Sequence, residues 1–356
     1  MRRFNFIITV LLGCLFLLPM PAQSLAEEKE GAVYRPFKGI YHLHTRFSHD
    51  SKAELRDIAH IAREIGAEFV VVTDHNNMDA KDHYPKLQLE EPPLFIFGDE
   101  VSVTEGHLVV LGVPEAPPEL DTAALIDWVH EKGGYAFLAH PFSPKNPWKS
   151  WEVDTWDGFE VFNFADNIRT SDWGDVIDSY FSHDSEKLME NTQRISDRYR
   201  DLWHQHEAAK RKFAILAATD AHLKRSTHQF ETALKSVAQY VWAEELTPEA
   251  VIEALGQGRS YFVFEKEPSA KQFSFIAEKD GEFFYVPGEE VSLEDGMNLH
   301  VKLPVSAHIY LLRDGDIILD QESEELSYPL SEPGAYRVEI ELEGEPWIYT
   351  NSIYVE

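Results

Sequence analysis

Glu68-Phe69-Val70-Val71-Val72-Thr73-Asp74-His75 is the stretch whose reading decides the fold. It is apolar on both faces along its length and then turns abruptly to groups that can hold a cation. A strand with no polar face is covered on both sides, as the strands of a parallel α/β sheet are. The same texture recurs at Gly39–His44, Pro93–Val101, His107–Val113, Tyr135–His140, Gly158–Asn163 and Phe213–Thr219. Helical patterns lie between several of these runs. Ser51 and Glu54 read as a capping box opening a helix whose stripe is Leu55, Ile58, Ala62 and Ile65, closed by Gly66. Leu125, Ile126 and Val129 repeat the pattern before Gly133-Gly134, and Thr247-Pro248 opens a third helix that Gly256 ends. Repeated strand–helix units predict a parallel α/β sheet, and seven strands predict a closed barrel over residues 38–264.

The flanks read differently. Residues 167–212 are polar and helical in pattern, too long for a plain loop between strands. Either a helical insertion over the barrel mouth or a solvated outer helix pair fits them. From residue 268 the alternation of Tyr336-Arg337-Val338-Glu339-Ile340-Glu341-Leu342, the strand opening at Trp347-Ile348-Tyr349, and the Asp314-Gly315 turn predict a small antiparallel β-sandwich over 268–356. It holds no concentration of metal-capable residues, so a structural role, or docking to another protein or an envelope component, is expected. Residues 1–26 combine Arg2-Arg3, an apolar run from Phe4 to Met20, and Ser24-Leu25-Ala26; a signal peptide cleaved after Ala26 is expected, followed by a linker over 27–37. The run is short for a membrane anchor, so no stable insertion is expected after cleavage, and the protein is expected to be periplasmic or secreted.

Cys14, the single cysteine, lies in that leader, which excludes thiolate nucleophiles and cysteine-rich zinc sites from the remainder. The formal charge of −30 disfavours a polynucleotide partner and points to a small-molecule substrate.

Five of the sixteen histidines, His42, His44, His75, His140 and His222, stand at the ends of predicted strands, together with Glu100 and Asp220. His42 and His44, like Asp220 and His222, are two residues apart, so each pair leaves its strand on one side. Only His107 opens a strand instead of closing one. Parallel barrels gather their sites at the C-terminal ends of their strands, and so many imidazoles and carboxylates on one face are costly unless they bind cations.

In His42-Leu43-His44-Thr45-Arg46-Phe47-Ser48-His49-Asp50, Val72-Thr73-Asp74-His75-Asn76, Gly98-Asp99-Glu100, Gly106-His107-Leu108, Ala139-His140-Pro141 and Thr219-Asp220-Ala221-His222, the chain resembles the PHP (polymerase and histidinol phosphatase) family of metal-dependent phosphoesterases. The resemblance implies a distorted (β/α)7 barrel with two or three divalent ions of zinc, manganese or iron. It implies the ligands His42, His44, Asp50, His75, Glu100, His107, His140, Asp220 and His222, with Glu100 bridging. His49 competes with Asp50 as third ligand, and Asp74 is expected to orient an imidazole from behind. The C-terminal part resembles a module of an exported subgroup of this family.

The chemistry implied is hydrolysis of a phosphate ester by water made acidic between two cations, with His107, His140 and Asp220 as the catalytic candidates. Arg46, Arg169 and Lys224 are the cations available to hold substrate oxygens. The same ligand set could serve a carboxyl- or carbamate-ester or amide hydrolase, or an exported metal- or glycan-binding protein without turnover.

Overall fold

The computed structural model describes residues 27–29, 32–89, 92–171, 185–266, 269–281 and 283–356; the expected leader lies outside them. The first part contains β1 (Glu27–Lys29), β2 (Ala32–Leu43), α1 (Leu55–Glu64), β3 (Phe69–Val72), α2 (Asp79–His83), β4 (Leu94–Phe97), β5 (Asp99–Ser102), β6 (His107–Leu111), α3 (Thr122–Glu131), β7 (Tyr135–Leu138) and β8 (Gly158–Asn163). It continues through α4 (Phe164–Thr170), α5 (Ser185–Thr192), α6 (Asp197–Ala208), β9 (Ala214–Ala218), α7 (Thr227–Ser236), β10 (Ala238–Ala243), α8 (Pro248–Gly256) and β11 (Ser260–Val263). The C-terminal strands are β12 (Ser274–Lys279), β13 (Phe283–Tyr285), β14 (Glu290–Val291), β15 (Met297–Arg313), β16 (Asp316–Pro329), β17 (Gly334–Leu342), β18 (Glu345–Thr350) and β19 (Ile353–Val355).

The two-faced burial read from the apolar runs is present. Along β3, Phe69 and Val71 join one core with Tyr41, Ile96, Val109 and Phe137. Val70 and Val72 turn the other way, into a core with Leu55, Ile58 and Ala62 of the α1 segment. Strand direction differs from the expectation. Strands β2, β3 and β4 are parallel, as are β7, β8 and β9, but β6 runs antiparallel to both β5 and β7.

A closed barrel is not what the strand pairing shows. Among the described residues β5 to β9 form one sheet, while β2, β3 and β4 belong to a larger sheet that continues through β10, β11 and β18 into the C-terminal strands. The two sheets touch at one end, where Asp220 N donates to His42 O (2.8 Å), His44 N to Ala221 O (3.0 Å) and Glu100 N to Asp74 O (3.2 Å). Pro93–Val101 is two strands that part at Gly98, where only glycine fits: a Cβ there would lie 2.5 Å from the carbonyl oxygen of Val110. The chain changes partner at Gly98: β4 pairs with β3, and β5 with β6.

Local capping is partly as read. Thr247 caps α8 by accepting from Ala250 N, with Pro248 in the first turn. Ser51 is not a cap. The N-cap of α1 is Glu54, without a side-chain bond, and the Ser51 hydroxyl donates to His44 O and accepts from Leu223 N. Its work is to tie the loop after β2 to the loop after β9.

The long polar stretch is helical where described, but α6 does not stand free in solvent: it packs on β8 and on the C-terminal strands. Arg337 of β17, fully buried, donates through Nε to both carboxylate oxygens of Glu207 (3.0 and 3.1 Å) and through Nη1 to Glu339, with its guanidinium over Trp203. Arg200 joins by pairing with Glu339 and donating to Tyr349 Oη at 3.0 Å. The polar face of β17, which alternation alone assigns to solvent, is therefore roofed by α6. Asn351 completes the seam by bonding both backbone groups of Ile215 in β9 (2.7 and 3.1 Å). Asp314 and Gly315 both take positive φ, as a two-residue hairpin turn between β15 and β16 requires. No helix among the described residues is long and apolar enough to cross a membrane.

Candidate metal centre

The end at which the two sheets touch is where the metal-capable residues collect. His42 is the penultimate residue of β2 and His44 lies just beyond the strand, Glu100 is in β5, and His140, Asp220 and His222 lie just past β7 and β9. His107 opens β6 and still arrives at this end, because β6 is reversed. Its odd position in the sequence is thus a matter of strand direction.

Glu100 is buried at the centre. Its Oε2 lies 3.2 Å from His42 Nε2, 3.1 Å from His44 Nε2 and 3.2 Å from His75 Nδ1. Its Oε1 lies 2.6 Å from His107 Nδ1 and 2.9 Å from His140 Nε2. Asp220 Oδ1 is 3.4 Å from His44 Nε2 and 3.3 Å from His222 Nδ1. Asp50 Oδ2 is 3.0 Å from His222 Nε2, and Asp50 Oδ1 is 3.9 Å from His75 Nε2. The structure thus brings all nine expected ligands into one cluster. The His49 ring is 5.0 Å from that of His75, but among the described residues the donor sets use Asp50 and not His49. Geometry therefore favours Asp50 over His49 as the third ligand.

Three ligands hold backbone conformations that L-residues avoid: φ is 59° at His42, 32° at His140 and 46° at Asp220. Such strain persists only where surrounding structure over-determines it, and it collects at functional sites.

The donor set fits divalent cations. Three overlapping groups, His44/Asp50/His75/His222, His42/His44/Glu100/Asp220 and His75/Glu100/His107, each place their nitrogens and oxygens within 4.8 Å of one another. His75 Nδ1 and His222 Nε2 are buried close to carboxylates yet make no hydrogen bond. His222 Nδ1 faces Asp220 O at 2.8 Å, so it carries the proton and leaves Nε2 with a lone pair toward Asp50.

Without cations, protons take their place. Burial opposes charge on His44, but hydrogen bonds to Asp220 and Glu100 outweigh it and lift the pKa to about 9. Burial likewise opposes charge on His140, and Glu100 lifts it to about 9. Burial would raise Glu100 and Asp220, yet the surrounding imidazoles hold both below the usual carboxylate range. His75 goes the other way: burial dominates and pushes it to about 4.

A pH dependence follows. Groups raised from 6.5 to about 9 contribute stability that is fully present below pH 6.5 and is lost as pH rises through 9. The melting temperature of chelator-treated protein should fall across that window, while the gain on adding zinc or manganese should grow. A melting temperature flat from pH 6.5 to 9 would contradict this electrostatic account.

The remaining candidates separate. Lys224 Nζ sits 3.7 Å from Asp50 Oδ2 at the rim of the cluster. Arg46 instead pairs with Glu54 (3.0 Å) and meets His83, and Arg169 is tied to Asp166; neither is drawn to the ligands. Asp74 does not orient an imidazole. It accepts from Thr45 N and Thr45 Oγ1, both at 2.6 Å, and so fixes the loop that follows His44. Sequence reading missed Glu160 of β8, which is fully buried and 2.5 Å from His42 Nδ1. The available clue was a lone carboxylate within the apolar run Gly158-Phe159-Glu160-Val161-Phe162-Asn163.

An uncharacterised protein of Methanocaldococcus jannaschii is 33% identical over 140 residues, covering 35% of this chain and 81% of the relative. Among solved structures, the chain is similar to a two-domain protein of Bacteroides vulgatus containing a predicted PHP-like metal-dependent phosphoesterase, with a TM-score of 0.47 and 14% identity over 90% of this chain and 96% of that one. It is also similar to endonuclease Q, solved with a 27-mer duplex bearing an abasic lesion, with a TM-score of 0.40 and 17% identity over 62% of this chain and 56% of that one. A model of the PHP domain matches residues 41–240, more than half of the chain and all nine residues of the cluster. The chain belongs to the PHP domain family.

Proposed function

We propose that the protein is a metal-dependent phosphoesterase acting on a small phosphate ester outside the cytoplasm. Its ions are two or three of zinc, manganese or iron, set where the ends of the two sheets meet. The observation that carries this reading is Glu100, a buried carboxylate with three imidazoles at one oxygen and two at the other. A carboxylate so placed is suited to bridge two cations. Bound divalent ions supply an acidified water and a Lewis acid for the phosphoryl oxygens.

The chain's own residues do the rest. His107 is the most exposed of the imidazoles at Glu100, which suits it to meet a leaving group. Lys224, half exposed at the rim, is placed to hold a substrate oxygen. Export rests on the leader in residues 1–26, and the acidic charge of −30 favours a small substrate over a polynucleotide. Residues 268–356 act as a β-sandwich that buttresses β9 through Asn351 and α6 through Arg337; these contacts support a structural role over a purely docking one.

Hydrolysis of mono- and diester p-nitrophenyl phosphates, measured beside p-nitrophenyl acetate, tests the reading. Phosphate-ester turnover that needs metal and is lost in His42→Ala and Asp220→Ala is expected. Turnover of acetate alone would move the chemistry to carboxyl esters on the same site. Full metal content with no turnover of any ester would leave a binding protein.

A further inference from the structure

Glu160 is a fully buried carboxylate with no place in the ligand set. Its Oε1 lies 2.5 Å from His42 Nδ1. Its Oε2 accepts from His140 N at 2.8 Å and from Asn163 Nδ2 at 3.0 Å. Both oxygens are therefore engaged, on the side of His42 away from Nε2, so Glu160 is not itself a ligand. The two residues it holds are both strained, with φ of 59° at His42 and 32° at His140. They also stand on opposite oxygens of Glu100: His42 Nε2 is 3.2 Å from Oε2 and His140 Nε2 is 2.9 Å from Oε1.

We propose that Glu160 is a positioning residue that couples the two halves of the metal centre. Through Oε1 it keeps the proton of His42 on Nδ1 and aims the Nε2 lone pair at the Glu100 side. Through Oε2 it holds the backbone turn that delivers the His140 ring to the other oxygen of Glu100. One carboxylate thereby sets the span between a ligand of one cation and a ligand of the next. A carboxylate behind a metal-bound histidine is a general device; what is particular here is that a single group braces two ligands at once. The inference rests on the metal-centre reading above.

Glu160→Gln tests it. The amide keeps the size of the side chain but offers one acceptor, so its NH2 must face either the Nδ1–H of His42 or the N–H of His140. Manganese titration of the purified protein should show affinity falling about 10–100-fold at both positions together. The exchange-coupled manganese spectrum of the wild type should give way to isolated-ion signals, which a merely structural carboxylate would not cause in a folded variant. Wild-type affinity at both positions, or loss at one position only, overturns the coupling. If the variant does not fold, nitrogen-15 spectra of the zinc-loaded wild type decide: His42 must carry its proton on Nδ1, and a ring ligated through Nδ1 overturns the proposal. Wild-type protein that takes up neither manganese nor zinc sinks the metal-centre reading and this inference with it. Wild type that loads while Glu160→Gln loads equally well sinks this inference alone.

Discussion

Glu100→Gln should abolish metal retention and ester hydrolysis together, a larger effect than the roughly 10–100-fold cost of losing an outer-shell partner. The substitution is nearly isosteric, so packing around the side chain is preserved and charge is what changes. Five imidazole nitrogens lie within 3.2 Å of the two carboxylate oxygens. An amide there presents NH2 to one group of them and a weaker acceptor to the other, and it cannot neutralise two cations. The raised pKa of His44 and His140 draws on Glu100, so both should fall in the variant. The loss of stability between pH 6.5 and 9 should shrink accordingly. Elemental analysis and turnover on the same preparation check the first claim, and thermal melting against pH checks the second. A variant that keeps its full metal content would show that Glu100 does not bridge.

Arg337→Ala should destabilise the fold by about 3–5 kcal/mol, because removing one partner of a buried pair leaves the other charge uncompensated. Here Glu207, fully buried, loses its two bonds from Nε, and Glu339, nearly buried, loses its bond from Nη1. Arg200 still reaches Glu339, and Ser352 still donates to Glu207 at 2.6 Å, so the cost falls within that range and not far above it. Replacing the pair by apolar residues of similar volume, as in Arg337→Met with Glu207→Met, should recover much of the loss. Urea unfolding of the three proteins measures both effects. Stability unchanged in Arg337→Ala would mean that α6 does not seal β17.

How much of this could be read in the sequence depended on whether a residue's neighbours along the chain betray its surroundings. Val70-Val71-Val72 advertises burial on both faces, because no polar residue interrupts it. His42, His44, Asp220 and His222 stand out because each follows an apolar run and ends it. His107 was legible as a candidate but not in its placement, since nothing in His107–Val113 marks a strand as reversed. Gly98 hid a change of partner inside what reads as one strand. Arg337 and Glu339 were hidden by their own regularity: alternation says which residues share a face, and does not say what covers it. Glu160 is the reverse case, a polar residue on a strand that otherwise reads as interior. Its partners, His42 and the backbone of His140, are 118 and 20 residues away in the chain. The cations were least legible, because Arg46 and Arg169 are claimed by Glu54 and Asp166, acids nearby in sequence.

Anomalous diffraction from crystals of the metal-loaded protein, recorded at the zinc and manganese edges, tests the central claim most directly. The account predicts at least two peaks flanking Glu100, one at each carboxylate oxygen and about 2.0–2.2 Å away, with His42 and His140 on different ions. Peaks confined to surface histidines, or a single ion that leaves one oxygen of Glu100 unligated, would contradict it.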